Sequence, residues 1–325
     1  AKLPSESRTN KLRRSCSDAL TNGSNHLILP SLCTKEMMDP LKSVLKKPTN
    51  FSGDGDASKW FASIASTLLN ECKLVVGSAS FRLTEIEFYH LSDIHQDTFA
   101  HCDPIQLKNG RWYFHRQGAK RSYKSGSFKG LDMSFGNGDC EYGGCLIRSM
   151  VSLDDGKIIN GPSILVDRLL KEAGFKKVAE LDGNIGTRKV WDETSPLRLE
   201  MDDGSVGRPI YKTARYGLTL KTLGSNEVKD QKSLQYIMSR YRFLTDLKGV
   251  KKGKIHAVLA LHVDGVSADE IRRKTGSPKS SIEKYIAELK DGKKEGSFTK
   301  YIGADIDTTA LCRLHGVWHS KMFDQ

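Results

Sequence analysis

The sequence lacks both Cys-x-x-Cys pairs and long apolar runs. Without a Cys-x-x-Cys pair, a zinc ribbon or zinc finger is not expected. No apolar run approaches about 18 residues, the length that crosses a bilayer as a helix, so we expect no membrane partner. The seven cysteines are odd in number and irregularly spaced. Scattered free thiols are typical of a reducing compartment, and we predict a nuclear protein without a metal or other cofactor.

Positive charge predominates in this chain. There are 51 Lys and Arg against 39 Asp and Glu, which gives a net charge of +12 and a pI of about 9.3. A strongly basic chain commonly binds a polyanion, so double-stranded DNA is the predicted partner. The alternative is that the basic surface only keeps the protein soluble. Nothing in the composition indicates an oligomeric state.

Composition divides the chain into three parts. Residues 1–50 are polar and basic, and we expect them to form a mostly disordered leader. Residues 51–247 alternate short apolar segments with Gly-rich turns, which predicts an α+β domain built on a single mixed or antiparallel sheet. Residues 248–325 predict a small C-terminal helical domain. One larger and one smaller domain is a usual division for 325 residues.

Hydrophobic periodicity predicts the elements of the main domain. We expect a helix over 58–71, strands over 72–76, 80–89, 112–114, 131–135 and 145–150, a helix over 162–173, and further sheet segments over 208–220 and 236–247. In the second strand, alternate residues share a face, so Leu83, Glu85, Glu87 and Tyr89 should lie opposite Phe88. A carboxylate on a largely buried strand is costly unless it is paired or functional, which makes Glu87 a candidate. The alternative is a solvated outer face.

A helix-turn-helix pattern occurs in the C-terminal part. Ser267, followed three residues later by Glu270, predicts a helix start, and Gly276 predicts its end. Pro278 then predicts the first position of a second helix. Two helices joined by a Gly-containing turn are typical of DNA-binding helix-turn-helix units. The expected DNA contacts of this unit are Arg272, Arg273, Lys279 and Lys284. The alternative is a helical packing module, such as a dimerisation cap.

Four short blocks follow one another in the main domain. They are Arg-Leu-Thr-Glu-Ile-Glu-Phe-Tyr at 82–89, Phe-Ala-His at 99–101, Gly-Gly-Cys-Leu-Ile-Arg at 143–148 and Asn-Gly-Pro-Ser at 160–163. In this order and at these spacings, residues 51–247 resemble the alkyladenine (3-methyladenine) DNA glycosylase family. The resemblance implies that family's single-sheet α+β fold. It also implies a monofunctional glycosylase, which rotates an alkylated or deaminated purine out of the duplex and hydrolyses its N-glycosidic bond.

The resemblance also implies roles for individual residues. Glu87 matches the general base that activates the attacking water, and Arg148 matches the arginine that holds this water near the sugar. Tyr89 and His101 match walls of the base pocket. Phe128 matches the aromatic wedge that fills the gap left by the flipped nucleotide, with an ordinary core Phe as the alternative. Further candidates are Tyr123 and Phe135 for the base pocket, and Lys120, Arg121, Lys124 and Lys129 for phosphate contacts.

The chain departs from the family's pattern in two places. The family has an asparagine in the strand before the matched arginine, which helps to exclude normal guanine, and residues 131–135 contain none. The loop after Tyr89 is longer and adds Asp93, His95 and Asp97. A metal site in that loop is an alternative to a plain polar loop. A second function therefore stays open, a non-catalytic nucleic-acid-binding protein on the same fold, such as a modified-base reader or a subunit of a complex.

Overall fold

The computed structural model describes residues 39–118, 121–138, 140–202, 204, 207–221 and 227–322. The fold is α+β, as predicted, with a large antiparallel sheet and C-terminal helices. The α-helices of the described residues are α1 Asp39–Val44, α2 Asp54–Ser66, α3 Pro162–Glu172, α4 Val178–Ile185, α5 Glu227–Tyr236, α6 Lys254–Val263, α7 Ala268–Thr275, α8 Lys279–Lys293 and α9 Thr308–Met322. Within that part of the chain, no helix has the length and apolarity needed to span a membrane.

Twelve strands are present in the described residues. They are β1 Cys72–Val76, β2 Ala79–Ser92, β3 His95–Gln96, β4 Asn109–Phe114, β5 Arg116–Gln117, β6 Ser122–Tyr123, β7 Leu131–Phe135, β8 Tyr142–Ser152, β9 Ile158–Asn160, β10 Leu197–Met201, β11 Tyr211–Thr213 and β12 Arg242–Leu244. The main sheet has the order β10-β1-β2-β8-β7-β4, and β12 also pairs with β2. Every pair is antiparallel, and β5 with β6 forms a separate hairpin. The long central strand β2 therefore organises the sheet.

Strand β2 changes its alternation at a β-bulge. The register shifts between Leu83 and Glu85 and again between Glu85 and Ile86. Leu83 consequently joins Ile86 and Phe88 in the hydrophobic core. The prediction that Leu83 lies on the face of Glu87 is wrong, because the bulge inserts an extra residue and reverses the alternation before it.

The hydrophobic core fills one face of the sheet, beneath α2. Phe61 of α2 stacks on Phe88 with ring centroids 4.8 Å apart, and Trp60 meets Phe135 edge to face at 5.2 Å. Phe135 is fully buried in this core. Its predicted place in the base pocket is therefore wrong. Alternation along β7 puts Asp132, not Phe135, on the opposite face of the sheet.

The folded domain begins before its predicted boundary. Leu41 and Leu45 are fully buried in the main core, and Trp60 Nε1 donates a hydrogen bond to Val44 O at 2.7 Å. Residues 39–50, predicted as leader, thus belong to the domain because their leucines complete the packing around α2. The rest of the predicted leader, residues 1–38, lies outside the described residues.

The end of the main domain contains less strand than predicted. Only β11 and β12, three residues each, lie within the predicted sheet segments 208–220 and 236–247. Ile237 and Met238, within the predicted segment 236–247, pack with α9 instead of entering the sheet. Tertiary contacts with the C-terminal helices decided the local structure here, as is common for short apolar segments.

The helix-turn-helix elements form where the sequence predicted them. The Ser267 hydroxyl accepts a hydrogen bond from the backbone N–H of Glu270 at 3.3 Å, which caps α7. Gly276 ends α7 in the left-handed conformation, with φ 70°. Helix α8 begins at Lys279, so Pro278 occupies the N-cap and not the first helical position. Helices α6, α7 and α8 pack on one another.

Helices α8 and α9 cross closely at two glycines. A Cβ on Gly316 would lie 2.1 Å from Leu289 O, and one on Gly292 would lie 2.1 Å from Arg313 O. Gly316→Ala should therefore lower the free energy of unfolding by about 1–3 kcal/mol, although Ala favours helix more than Gly does. Urea denaturation measures this, with Gly296→Ala as the control because that site faces open space. Equal stability of Gly316→Ala and the wild type would contradict the close crossing.

Candidate active site

Glu87 lies on the face of the sheet opposite the core, with no exposed surface. Its Oε2 accepts hydrogen bonds from the Tyr89 hydroxyl at 2.9 Å and from Arg148 Nη1 at 3.1 Å. Its Oε1 accepts a hydrogen bond from the backbone N–H of Tyr216 at 2.7 Å. Both carboxylate oxygens are therefore satisfied, as a buried carboxylate requires.

Glu85 joins two arginines beside Glu87. Glu85 Oε1 accepts hydrogen bonds from Arg148 Nε at 2.7 Å and from Arg242 Nε at 2.9 Å. Arg242 Nε also lies 3.8 Å from Glu87 Oε1. These four side chains, called here the carboxylate–arginine cluster, carry two negative and two positive charges. Such balance is what permits four charged groups to be buried together.

The donors around Glu87 keep their protons. Burial lowers the pKa of Arg148, but the Glu87 and Glu85 carboxylates raise it by more, and it lies above its ordinary value. Burial and then the charge of Glu87 raise the pKa of the Tyr89 hydroxyl well above its ordinary value. At neutral pH, Arg148 and Tyr89 are thus fixed hydrogen-bond donors to Glu87.

Tyr216 covers the carboxylate–arginine cluster on its outer side. The Arg148 guanidinium carbon lies 5.3 Å from the centre of the Tyr216 ring, a cation–π contact. Tyr216 is 36% exposed, although its backbone N–H reaches the buried Glu87. The Tyr216 ring therefore separates the cluster from solvent.

A second buried ion pair supports Tyr89. Arg215 donates to both carboxylate oxygens of Asp97, at 2.5 and 3.1 Å, and to the backbone oxygens of Phe88 and Tyr236. Its guanidinium carbon lies 4.6 Å from the centre of the Tyr89 ring. Asp97 is therefore engaged by an arginine, and the described residues contain no group of three or more side chains that could hold a metal ion.

A row of paired residues crosses the sheet from Glu87. Glu87 pairs with Leu146 of β8, Leu146 pairs with Asp132 of β7, and Asp132 pairs with Tyr113 of β4. Paired residues of neighbouring strands share a face. Because strands lie about 4.8 Å apart, Asp132 is about 10 Å from Glu87. Glu87 and Asp132 are the two acids of this row, and the apolar Leu146 lies between them.

Histidines cluster at the Asp132 end of this row. The Asp132 carboxylate lies 2.7 Å from His115 Nε2 and accepts a hydrogen bond from Gln106 Nε2 at 3.1 Å. The His101 ring lies 4.4 Å from that of His115, and its Nδ1 lies 3.4 Å from the Tyr113 hydroxyl. Burial and then the charge of His115 lower the pKa of His101 to about 4. His101 is therefore neutral at pH 7 and able to donate or accept a hydrogen bond.

The sequence analysis did not identify several residues of this surface. Tyr113 lies on the predicted strand 112–114, and His115 comes directly after that strand. Their spacing of two was a usable signal that they share a face. Asp132 alternates with the apolar residues Leu131 and Met133 in the predicted strand 131–135. This alternation was the corresponding signal that Asp132 lies on the polar face. For Arg215 and Arg242 no local pattern existed, because their partners Asp97 and Glu85 lie more than a hundred residues away in sequence.

Comparison with known proteins assigns the chain to a family. It is 33% identical over 207 residues to the uncharacterized protein L759 of Acanthamoeba polyphaga mimivirus, an alignment that spans 60% of this chain and 90% of that protein. The chain belongs to the family of L759. No family model matches it, and no solved structure gives a significant match. The name of the L759 relative states no activity, so the function must be argued from the site.

The predicted wedge residue of this L759-family chain is on the surface. Phe128 ends a short 3₁₀ turn, Gly126–Phe128, and is 73% exposed. The alternative interpretation of an ordinary core Phe is therefore wrong. The Ser163 hydroxyl donates a hydrogen bond to Gly126 O at 2.7 Å, which holds the turn against the start of α3.

Tyr123, predicted as a wall of the base pocket, is held against α4. Its hydroxyl donates a hydrogen bond to Asp182 at 2.6 Å, and the Arg116 guanidinium carbon lies 4.9 Å from its ring centre. Burial and then the hydrogen bond with Asp182 raise the pKa of Tyr123 to about 12. These contacts tie Tyr123, a residue of β6, to α4 and β5 and not to the row that contains Glu87.

The loop predicted to contact phosphates is partly neutralised by acids. Lys129 lies 2.5 Å from Asp167, and Arg121 lies 3.3 Å from Asp103. These ion pairs reduce the positive potential that the loop offers a phosphate. The remaining two predicted contacts are Lys124, which is half-buried, and Lys120, which lies outside the described residues.

The predicted DNA contacts of the C-terminal unit are exposed. Arg272 and Lys284 lie on the surface of α7 and α8. Arg273 and Lys279 are also exposed, but each forms an ion pair with an acid of α7. An open cavity of about 480 Å³ lies beside α7. Its lining residues are Lys248, Asp269, Arg272, Arg273 and Gly276.

Proposed function

We propose that this L759-family protein is a monofunctional DNA glycosylase of base excision repair, acting in the nucleus on an alkylated or deaminated purine. The observation that carries the proposal is the setting of Glu87. A carboxylate fixed by Arg148 and Tyr89 lies on the polar face of the sheet, at one end of the row that leads to Asp132. A carboxylate held by permanent donors is suited to accept a proton from an attacking water.

Each end of the row has a distinct task in this reaction. Water attacks C1′ of the flipped nucleotide while Glu87 takes its proton, and the C1′–N bond breaks with its electron pair leaving on the base. A base that leaves as an anion takes up a proton from solvent, and an abasic sugar remains in the DNA. Arg148 stabilises ionised Glu87, and His101 offers a neutral donor and acceptor for the edge of the base. The exposed Phe128 suits the gap left in the duplex.

Entry to Glu87 requires a side-chain movement. Glu87 has no exposed surface, whereas Tyr216 and Tyr89 above it are partly exposed. Rotation of the Tyr216 ring would open the outer side of the carboxylate–arginine cluster while its backbone N–H keeps hold of Glu87. Such local closing and opening is common at sites that exclude water.

Base release from damaged duplexes tests the proposal. Duplexes carrying hypoxanthine, ethenoadenine or 3-methyladenine are incubated with the wild type, then treated with alkali and resolved by size. We expect an alkali-labile site at one or more of these lesions and none in undamaged DNA. No release from any lesion would contradict the enzymatic proposal.

A second candidate is a non-catalytic reader of modified bases. The observation that favours it is the full hydrogen bonding of Glu87, whose oxygens already meet Tyr89, Arg148 and Tyr216. Tight and salt-sensitive binding of lesion DNA without base release would select this candidate.

The C-terminal unit should contribute to DNA affinity under either candidate. The double substitution Arg272→Ala and Lys284→Ala removes two exposed cations. We expect the slope of log affinity against log salt to become smaller by about 1.8, since each phosphate contact contributes about 0.9. Fluorescence anisotropy at several salt concentrations measures this slope. Lys300→Ala, which removes a cation paired with Glu295 beyond α8, is the control, and an unchanged slope in the double variant would favour a packing role for α7 and α8.

A further inference from the structure

We propose that Arg242 is a positioning residue for Glu87, and that through it the C-terminal helices complete the active site. This inference rests on the proposed glycosylase function. It concerns the segment just before α6, which lies outside the part of the chain that resembles the glycosylase family.

A continuous set of hydrogen bonds joins that segment to Glu87. Arg242 Nη2 donates to Lys252 O at 2.9 Å, and Nη1 donates to Gly253 O at 3.2 Å. Arg242 Nε donates to Glu85 at 2.9 Å, and Arg148 donates to Glu85 at 2.7 Å. Arg148 then donates to Glu87 at 3.1 Å. Each of these hydrogen bonds joins a positively charged donor to a carbonyl or carboxylate acceptor. A displacement of the segment would therefore shift Arg242 and, through Glu85 and Arg148, change the hydrogen bond to Glu87.

Burial makes each member of this set depend on the others. Arg242 is 1% exposed and Glu85 is 6% exposed. Without Arg242, Glu85 would have Arg148 as its remaining cation within hydrogen-bond distance. Arg148 would then be drawn toward Glu85, and its hold on Glu87 would weaken. Glu87 would also lose the positive charge that lies 3.8 Å from its Oε1.

The local backbone is built to reach Arg242. Gly253 has a left-handed conformation, with φ 71°, where it precedes α6. A Cβ there would lie 2.6 Å from Arg242 Nη1 and 2.7 Å from the Tyr216 ring. A side chain at this position would therefore push the two carbonyls away from Arg242.

The helices behind this segment are also fixed over the cluster. One ring nitrogen of His256 on α6 lies 2.9 Å from one of His315 on α9, and both residues are buried. Burial and then the Arg242 charge lower the pKa of His256 to about 3, and the centre of the His256 ring lies 6.4 Å from that of Tyr216, which covers the cluster. Helices α6 and α9 thus fix the position of the segment before α6, whose carbonyl oxygens bind Arg242.

The test compares Arg242→Gln and Arg242→Lys with Arg240→Gln. Arg240 is a matched control, because it also ties this strand region to α6, but its hydrogen bonds go to Asp264 and to Ala260 O and not to Glu85 or Glu87. Single-turnover base release across pH and DNA affinity are measured for each variant. Thermal melts identify the conditions in which each is folded.

For Arg242→Gln we expect a rate lower by about 10- to 100-fold, DNA affinity within about threefold of the wild type, and an acidic limb displaced to higher pH. The displacement follows because a carboxylate that loses a nearby positive charge is protonated more readily. For Arg242→Lys, which keeps the charge, we expect a reduced rate with the acidic limb in place. Arg240→Gln should match the wild type in both.

The inference would be overturned if Arg242→Gln had the rate and the pH profile of the wild type. If the Gln variant does not fold, the same result with Arg242→Lys would overturn it. Equal losses in Arg242→Gln and Arg240→Gln would also overturn it, because they would indicate a general structural effect. If the wild type releases base and either of these outcomes is found, the positioning role of Arg242 is wrong but the proposed glycosylase function stands. A wild type that releases no base defeats the proposed function together with it.

Discussion

Glu87→Gln should lower the single-turnover rate of base release by about 10²- to 10⁴-fold, the usual contribution of a general base. Glutamine has nearly the same shape as glutamate, and its amide oxygen can still accept a hydrogen bond from the donors around it. It cannot take the proton of the attacking water. DNA affinity should stay close to that of the wild type, because Glu87 is fully buried and phosphates are bound by cations and not by carboxylates.

Rapid quench with duplex lesion DNA measures this rate, and anisotropy measures the affinity. Glu283→Gln is the matched control, since Glu283 is an exposed glutamate on α8. Its rate should equal that of the wild type. If Glu87→Gln released base as fast as the wild type, Glu87 would not be the general base.

Arg215→Met should lower the free energy of unfolding by about 3–5 kcal/mol, the usual effect of removing one member of a buried ion pair. Arg215 and Asp97 have no exposed side-chain surface. Without Arg215, Asp97 would remain buried without its counter-charge, and the backbone oxygens of Phe88 and Tyr236 would lose a donor. This is the larger of the two stability effects predicted for this chain.

Urea denaturation at pH 7 measures the change. The double variant Arg215→Met with Asp97→Leu should recover much of the loss, because it leaves no unpaired charge. Lys221→Met removes one partner of an exposed ion pair with Asp305 and should have no measurable effect. A small effect of Arg215→Met would indicate that Asp97 reaches solvent or another cation.

Local signals predicted much of the C-terminal helical unit. A hydroxyl cap at Ser267 and a left-handed stop at Gly276 depend on a few adjacent residues, so they can be read from the sequence. The face of Leu83 could not, because the bulge beside it depends on pairing with β8. Phe135 was misplaced for a similar reason, since the choice of face depends on which side α2 covers.

Part of the candidate site could also be predicted. The alternation around Glu87 correctly placed it with Tyr89 on the face opposite Phe88, and it made Glu87 the residue of interest. The resemblance brought Arg148 to the same place, and the structure puts the two in contact. Arg242 and Tyr216 come close to Glu87 only through tertiary folding, so no spacing in the sequence could predict their contacts with it.

The most direct measurement of the central claim is mass spectrometry of one lesion duplex after reaction with the wild type and with Glu87→Gln, before any alkali treatment. For the wild type we predict free damaged base and abasic sites in equal amounts, with both DNA strands intact. For Glu87→Gln we predict bound but unchanged lesion DNA. Intact lesion DNA with both proteins, or equal base release by both, would contradict the account in which Glu87 activates water for hydrolysis.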